Sequence, residues 1–203
     1  MQPDVRQRST QARSGIHSTH AAVAQIFLIR HAEKPTPDQV VAGVDEFGQV
    51  NWNDLSVLGW QRAGALAALL GDERTSKVLG FVRPIHLFAA APTRDAPSAR
   101  SVSTLKPLAD VLRVPIRLDF AVGRERQLAE LAASLRGSVL IAWQHEGIVK
   151  IAAELAASNQ ALPTQWPADR YDLIWALTGS LGRCRFRQIP QELLAGDRSS
   201  PIA

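Results

Sequence analysis

The chain has 203 residues, 46% of them hydrophobic and 21% charged, the size and balance of one soluble globular domain. No apolar run reaches the roughly 18 residues that a membrane-crossing helix needs. The N-terminus lacks the apolar centre of a signal peptide, so the expected location is cytoplasmic, and the single cysteine, Cys184, excludes a disulfide framework or a cysteine-based metal cluster.

Residues 1–24 are polar, lack a hydrophobic period and read as a disordered basic tail. Arg6, Arg8 and Arg13 against Asp4 give this tail half of the formal charge of +4, leaving residues 25–203 as one mildly basic domain. Gln25-Ile-Phe-Leu-Ile-Arg30 is a continuous apolar run of the kind that forms a strand buried on both faces. A loop over 34–54, containing Pro, Gly and Asp, leads to a helix over Leu55 to Leu70, with Gly71 placed to cap its end. The apolar run from Ile85 to Ala91 predicts a second strand. Ser98 to Leu112 predicts a helix that opens on a serine cap and is kinked at Pro107. A helix from Arg124 to Leu135 stops short of Gly137. A third apolar strand, Ser138 to Trp143, is followed by a helix from Gly147 to Ala157. Beyond a loop over 159–170, Tyr171 to Leu177 and Arg183 to Ile189 flank Thr-Gly-Ser turn residues and suggest a hairpin. Arg183, Arg185 and Arg187 alternate with Cys184 and Phe186, which puts the arginines on the solvent face of an edge strand. Alternating strands and helices predict an α/β fold, a three-layer α/β/α sandwich around a mainly parallel sheet. Strands 25–30, 85–91 and 138–143 should be central and adjacent.

Sheets of this kind hold ligands beyond the carboxyl ends of their strands. The first strand ends in Arg30-His31, the second runs into a loop carrying Arg94 and Arg100, and the third reaches His145. Two histidines and several arginines thus converge on one sheet edge from three distant places in the sequence.

These residues carry a resemblance. Ile26-Phe-Leu-Ile-Arg-His-Ala-Glu-Lys-Pro35 resembles the opening signature of the histidine phosphatase superfamily, the phosphoglycerate mutase-like family. Leu55-Ser-Val-Leu-Gly-Trp-Gln-Arg-Ala63 resembles that family's first helix, and Arg100-Ser-Val-Ser-Thr104 its Arg-x-x-x-Thr element. Val139-Leu-Ile-Ala-Trp-Gln-His-Glu-Gly-Ile148 resembles the strand carrying its second histidine. The elements follow the family's order over roughly residues 25–180. The resemblance implies a phosphoglycerate mutase-like fold and a phosphatase acting on phosphomonoesters or phosphohistidine. It implies that His31 is phosphorylated while Arg30, Arg100 and His145 bind the phosphoryl oxygens. Arginine's rigid fork suits those oxygens, and a histidine nucleophile must stay neutral, which adjacent guanidinium charges favour. No cofactor or metal is expected, because cationic side chains supply the neutralisation. For the proton donor to the leaving group, Glu146 ranks first by position and Glu33 second, with Glu125 as a third candidate.

Arg94 competes with Arg100 for the phosphoryl group, and Arg62 reads as an ion-pair partner. His86 reads as a hydrogen-bonded core histidine, and Trp143, Trp166 and Trp175 as core or pocket wall. Aromatic and basic residues are not interleaved, so nucleic acid is not an expected partner. The expected partner is a phosphorylated small molecule or phosphoprotein. Mutase activity is less expected, because the segment after the first helix lacks an acidic, substrate-closing insert. A non-catalytic phospho-ligand or protein-partner binding module on the same fold is the alternative. Oligomeric state is left open.

Overall fold

The computed structural model describes residues 24–36, 42–74 and 80–203. The tail expected over 1–24 therefore lies outside the described residues except for Ala24, which opens the first strand. The described elements run β1 (Ala24–Arg30), α1 (Val57–Gly71), β2 (His86–Ala89), α2 (Arg100–Leu112), β3 (Ile116–Arg117), α3 (Glu125–Ser134), β4 (Ser138–Trp143), α4 (His145–Leu155), β5 (Leu173–Gly179) and β6 (Arg185–Pro190). The strands form one six-stranded sheet in the order β3-β2-β4-β1-β5-β6.

As expected, β2, β4 and β1 are adjacent and parallel at the centre of the sheet. Side chains alternate across these strands because the pleat has a period of two. Ile26, Leu28, Val139 and Ile141 pack on one side with Leu128 and Ala132 of α3 and Ile148 and Ile151 of α4. Phe27, Ile29, Leu140 and Ala142 pack on the other with Leu66 and Leu70 of α1 and Leu105 and Leu108 of α2. Two cores on one sheet make the three-layer sandwich.

The remaining strands modify the expectation. β3, two residues long, extends the sheet in parallel beside β2; it is too short to leave a periodic signal. β5 and β6 form the expected hairpin with β6 at the edge, and Arg183, Arg185 and Arg187 are exposed as their alternation required. β5, however, runs antiparallel to β1, with Ile29 opposite Ile174. The chain therefore enters β5 at the edge of the sheet where β1 ends.

Three helix boundaries differ from expectation, each for a local reason. α1 is capped by Ser56, whose Oγ accepts from the Gly59 amide at 3.1 Å. Gly71 is its last helical residue rather than a left-handed cap. A Cβ there would lie 2.8 Å from Val111 Cγ1, so the glycine lets α1 and α2 approach closely. α2 begins at Arg100 behind Ala99, with no side-chain cap, and continues through Pro107. Ser98 Oγ is instead 3.4 Å from Arg100 Nη1. α4 begins at His145, two residues earlier than the expected Gly147, so His145 and Glu146 belong to its first turn.

Candidate active site

The last residues of β1 and β4 are level, with Arg30 opposite Trp143. The His31 amide continues the ladder by donating to the Trp143 carbonyl at 2.9 Å. His31 thus leaves β1 at the point where the chain turns from β4 into α4, whose first residue is His145. The following segment is clamped. Thr104 Oγ1 accepts from the Ala32 amide at 2.8 Å and donates to the Arg100 carbonyl at 2.7 Å. On the far side, the Ser56 amide and Oγ both donate to the Glu33 carbonyl, at 2.9 and 3.1 Å. The Arg-x-x-x-Thr element therefore places Arg100 and, one helical turn later, fixes the backbone that carries His31.

His31 is buried, and its Nδ1 lies 2.8 Å from the Ala32 carbonyl oxygen. A carbonyl can only accept, so Nδ1 carries the hydrogen and Nε2 keeps a free lone pair. Burial, and then Arg30, Arg100 and His145, push the His31 pKa down to about 3 against the opposing pull of the Ala32 carbonyl. Charges on three separate elements thus act on one imidazole, and the ring is neutral at neutral pH.

Arg30 is buried, and its guanidinium is partly committed to the fold. Nη1 donates to the carbonyls of Ala168 at 2.6 Å and Arg170 at 3.1 Å, while Nε is buried without a partner. Arg100 is held by the carbonyls of Trp52, at 2.7 Å from Nη2, and Asp54, at 3.2 Å from Nε. Burial lowers the pKa of both arginines, with nearby acidic groups opposing it. His145 is half-buried with Nδ1 3.1 Å from Glu146 Oε2. Burial and then Arg30 hold its pKa below the usual histidine value, against the pull of Glu146.

The three candidate proton donors have distinct surroundings. Glu33 is buried, with Oε1 accepting from Arg62 Nε at 2.8 Å. Arg62 also binds Asp197 and Gln191, so it is an ion-pair partner, as read from the sequence, and a buried one. Glu146 is exposed on the first turn of α4. Glu125 Oε1 accepts from Trp143 Nε1 at 3.1 Å and from the Gly123 amide at 3.0 Å, which bolts α3 to β4. Arg94 lies exposed on its loop, whereas Arg100 reaches the cluster. His86 is at the opposite end of the sheet, 3.1 Å from the Arg136 carbonyl.

One residue of the cluster was not anticipated. Tyr171 lies just before β5, with its ring under the Arg30 guanidinium, 3.9 Å from the ring centroid to Cζ. Its hydroxyl accepts from Arg30 Nη2 at 3.2 Å, and its ring centroid is 6.1 Å from that of His31. No sequence motif marks it; only the antiparallel entry of β5 brings it here. Two clefts flank the cluster. One, of about 230 Å³, lies among Glu33, Leu58, Tyr171 and residues 194–198. The other, of about 480 Å³, lies between α4, from His145 to Lys150, and residues 164–168. Among the described residues, no group of three His, Cys, Asp or Glu side chains is placed to hold a metal ion. Nor is any helix there long and apolar enough to cross a membrane.

No family model matches the sequence, and no curated protein does. Solved structures do match. The protein histidine phosphatase SixA complexed with tungstate superposes with a TM-score of 0.53 at 19% identity, over 82% of this chain and 97% of that one. The mycobacterial glucosyl-3-phosphoglycerate phosphatase superposes with a TM-score of 0.50 at 16% identity, over 85% of this chain and 100% of that one. This chain has the histidine phosphatase fold. In this histidine phosphatase fold, the two histidines and two arginines picked out by the motifs meet beyond the carboxyl ends of β1 and β4.

Proposed function

We propose that the chain is a phosphatase that hydrolyses phosphomonoesters or phosphohistidine through a covalent phosphohistidine on His31. The observation that carries this reading is the state of His31: buried, neutral, with Nδ1 tied to the Ala32 carbonyl and Nε2 free to attack phosphorus. Arg30, Arg100 and His145 lie close enough to act electrostatically on that ring, and in this reading they bind the phosphoryl oxygens. The unpartnered Arg30 Nε is a buried donor of the kind an oxyanion satisfies. Transfer to histidine divides hydrolysis into two displacements, each needing only alignment and charge stabilisation. A module that merely bound phosphate would gain nothing from a neutral imidazole in the middle of its cations.

Mixing the protein with a labelled phosphomonoester and quenching in base should trap an acid-labile, base-stable label, as a phosphoramidate requires. Mass spectrometry should place the label on His31. The His31→Ala protein should carry no label and show no turnover while still binding phosphate weakly. His145→Ala should keep some labelling and turn over slowly, because it removes stabilisation and leaves the nucleophile. Undiminished hydrolysis by His31→Ala would overturn the proposal. Absence of label and of turnover on a broad phosphoester panel would leave phospho-ligand binding as the function.

A further inference from the structure

We propose that Tyr171 is the proton donor to the leaving group, an assignment that rests on the phosphohistidine mechanism above. An alkoxide leaves phosphorus reluctantly unless it is protonated as it departs, so the site needs an acid with a free proton beside the reacting atoms. Glu33 spends one oxygen on Arg62 and is part of a buried ion-pair chain that ends on Asp197. Glu125 accepts two hydrogen bonds, one from Trp143 that joins α3 to β4 and one from the Gly123 amide before α3. Glu146 points its Oε2 at the Nδ1 of His145 and is otherwise exposed. Tyr171 carries an acidic hydrogen and touches Arg30 directly, through its ring and its hydroxyl. Because its oxygen accepts from Arg30 Nη2 at 3.2 Å, its own hydrogen is left to donate elsewhere. Its ring centroid is 6.1 Å from that of His31, so the phenol stands beside the imidazole at the same end of the sheet. Tyr171 also lines the cleft of about 230 Å³ beside Glu33 and Leu58, which in this proposal holds the leaving group.

The proton balance closes. His31 Nε2 forms a bond to phosphorus as the bond from phosphorus to the leaving-group oxygen breaks, and the Tyr171 proton passes to that oxygen. The phenolate that remains sits against the Arg30 guanidinium, which stabilises it. A water then attacks the phosphohistidine, giving its proton to the phenolate while the phosphorus–nitrogen electrons return to His31. Inorganic phosphate, neutral His31 and protonated Tyr171 are regenerated.

The test compares the full-length protein with Tyr171→Phe, Glu146→Gln and His31→Ala on two substrates. One is an alkyl phosphate, whose leaving group needs a proton. The other is p-nitrophenyl phosphate, whose leaving group hardly does. Tyr171→Phe should lose about 10²–10⁴-fold in kcat on the alkyl phosphate and a far smaller factor on p-nitrophenyl phosphate. Inhibition by tungstate should persist, reporting that Arg30 and Arg100 still bind an oxyanion. Glu146→Gln should change both substrates by the same factor. An equal loss on the two substrates for Tyr171→Phe, partial or complete, would assign Tyr171 to holding Arg30 and overturn the donor role. So would no loss on either substrate, or a selective alkyl-phosphate loss in Glu146→Gln instead. Activity surviving in His31→Ala would be a separate failure, that of the phosphohistidine mechanism itself.

Discussion

His31 owes its free lone pair to burial first and to neighbouring cations second. That arrangement has a stability cost with a definite sign. Its pKa falls from the ordinary 6.5 to about 3 on folding. Between those values the unfolded chain binds the proton and the folded one does not, so stability falls as pH drops through this window. Each pH unit within it costs about 1.4 kcal/mol, and the effect vanishes above pH 6.5. Chemical denaturation of wild type and His31→Asn at pH 7 and pH 4 should therefore show wild type losing more stability between the two pH values. Equal losses would mean that folded His31 takes up the proton. The pairing of Arg30 and His31 and the later Arg100 and His145 were legible as motifs, because each ends or follows an apolar run. Tyr171 carried no such mark. Its role depends on a contact with Arg30, a residue 141 positions away.

At the level of elements, α1 presses its N-terminal end directly onto the segment that follows His31. Ser56 caps the helix and donates to the Glu33 carbonyl in the same stroke. Gly59, one turn in, would place a Cβ 2.4 Å from that carbonyl oxygen. Gly64, on the outer face of the same helix, would place a Cβ in open space. The two glycines should respond to alanine with opposite signs. Gly64→Ala should raise stability by about 0.5–1 kcal/mol, since alanine loses less backbone entropy in a helix. Gly59→Ala must displace the backbone that follows His31, and should lower both Tm and turnover. Thermal melts and kcat measured side by side check this; a Gly59→Ala protein with wild-type kcat would show that the Glu33 carbonyl does not help place His31. Amphipathic spacing located all four described long helices to within a few residues. It misplaced their ends where contacts from elsewhere decide them: Gly71 against Val111, and Ser98 beside Arg100.

Across the whole molecule, the C-terminal segment ties the site together from outside the sheet. Asp197 binds Arg62, which binds Glu33, while the Arg198 amide donates to Asp172 Oδ2 at 2.8 Å. Arg170, whose carbonyl accepts from Arg30, holds Asp172 at 2.6 Å and the Ser200 carbonyl at 2.8 Å, and Ile202 is buried in the core beyond. Removing one partner from a buried pair strands the other charge, so Asp197→Ala should cost roughly 3 kcal/mol. A denaturation midpoint unchanged by Asp197→Ala would show that Glu33 alone satisfies Arg62. The amino-acid sequence by itself determined the layers of this protein, its central parallel strands and the edge where its histidines and arginines meet. Those features follow from local periodicity, and from the rule that parallel strands deliver their carboxyl ends to one side. The direction of β5 was left to tertiary structure, because an apolar run buried on both faces reads the same in either direction. With β5 antiparallel to β1, its first residues rather than its last reach the site, and Tyr171 comes to rest beneath Arg30.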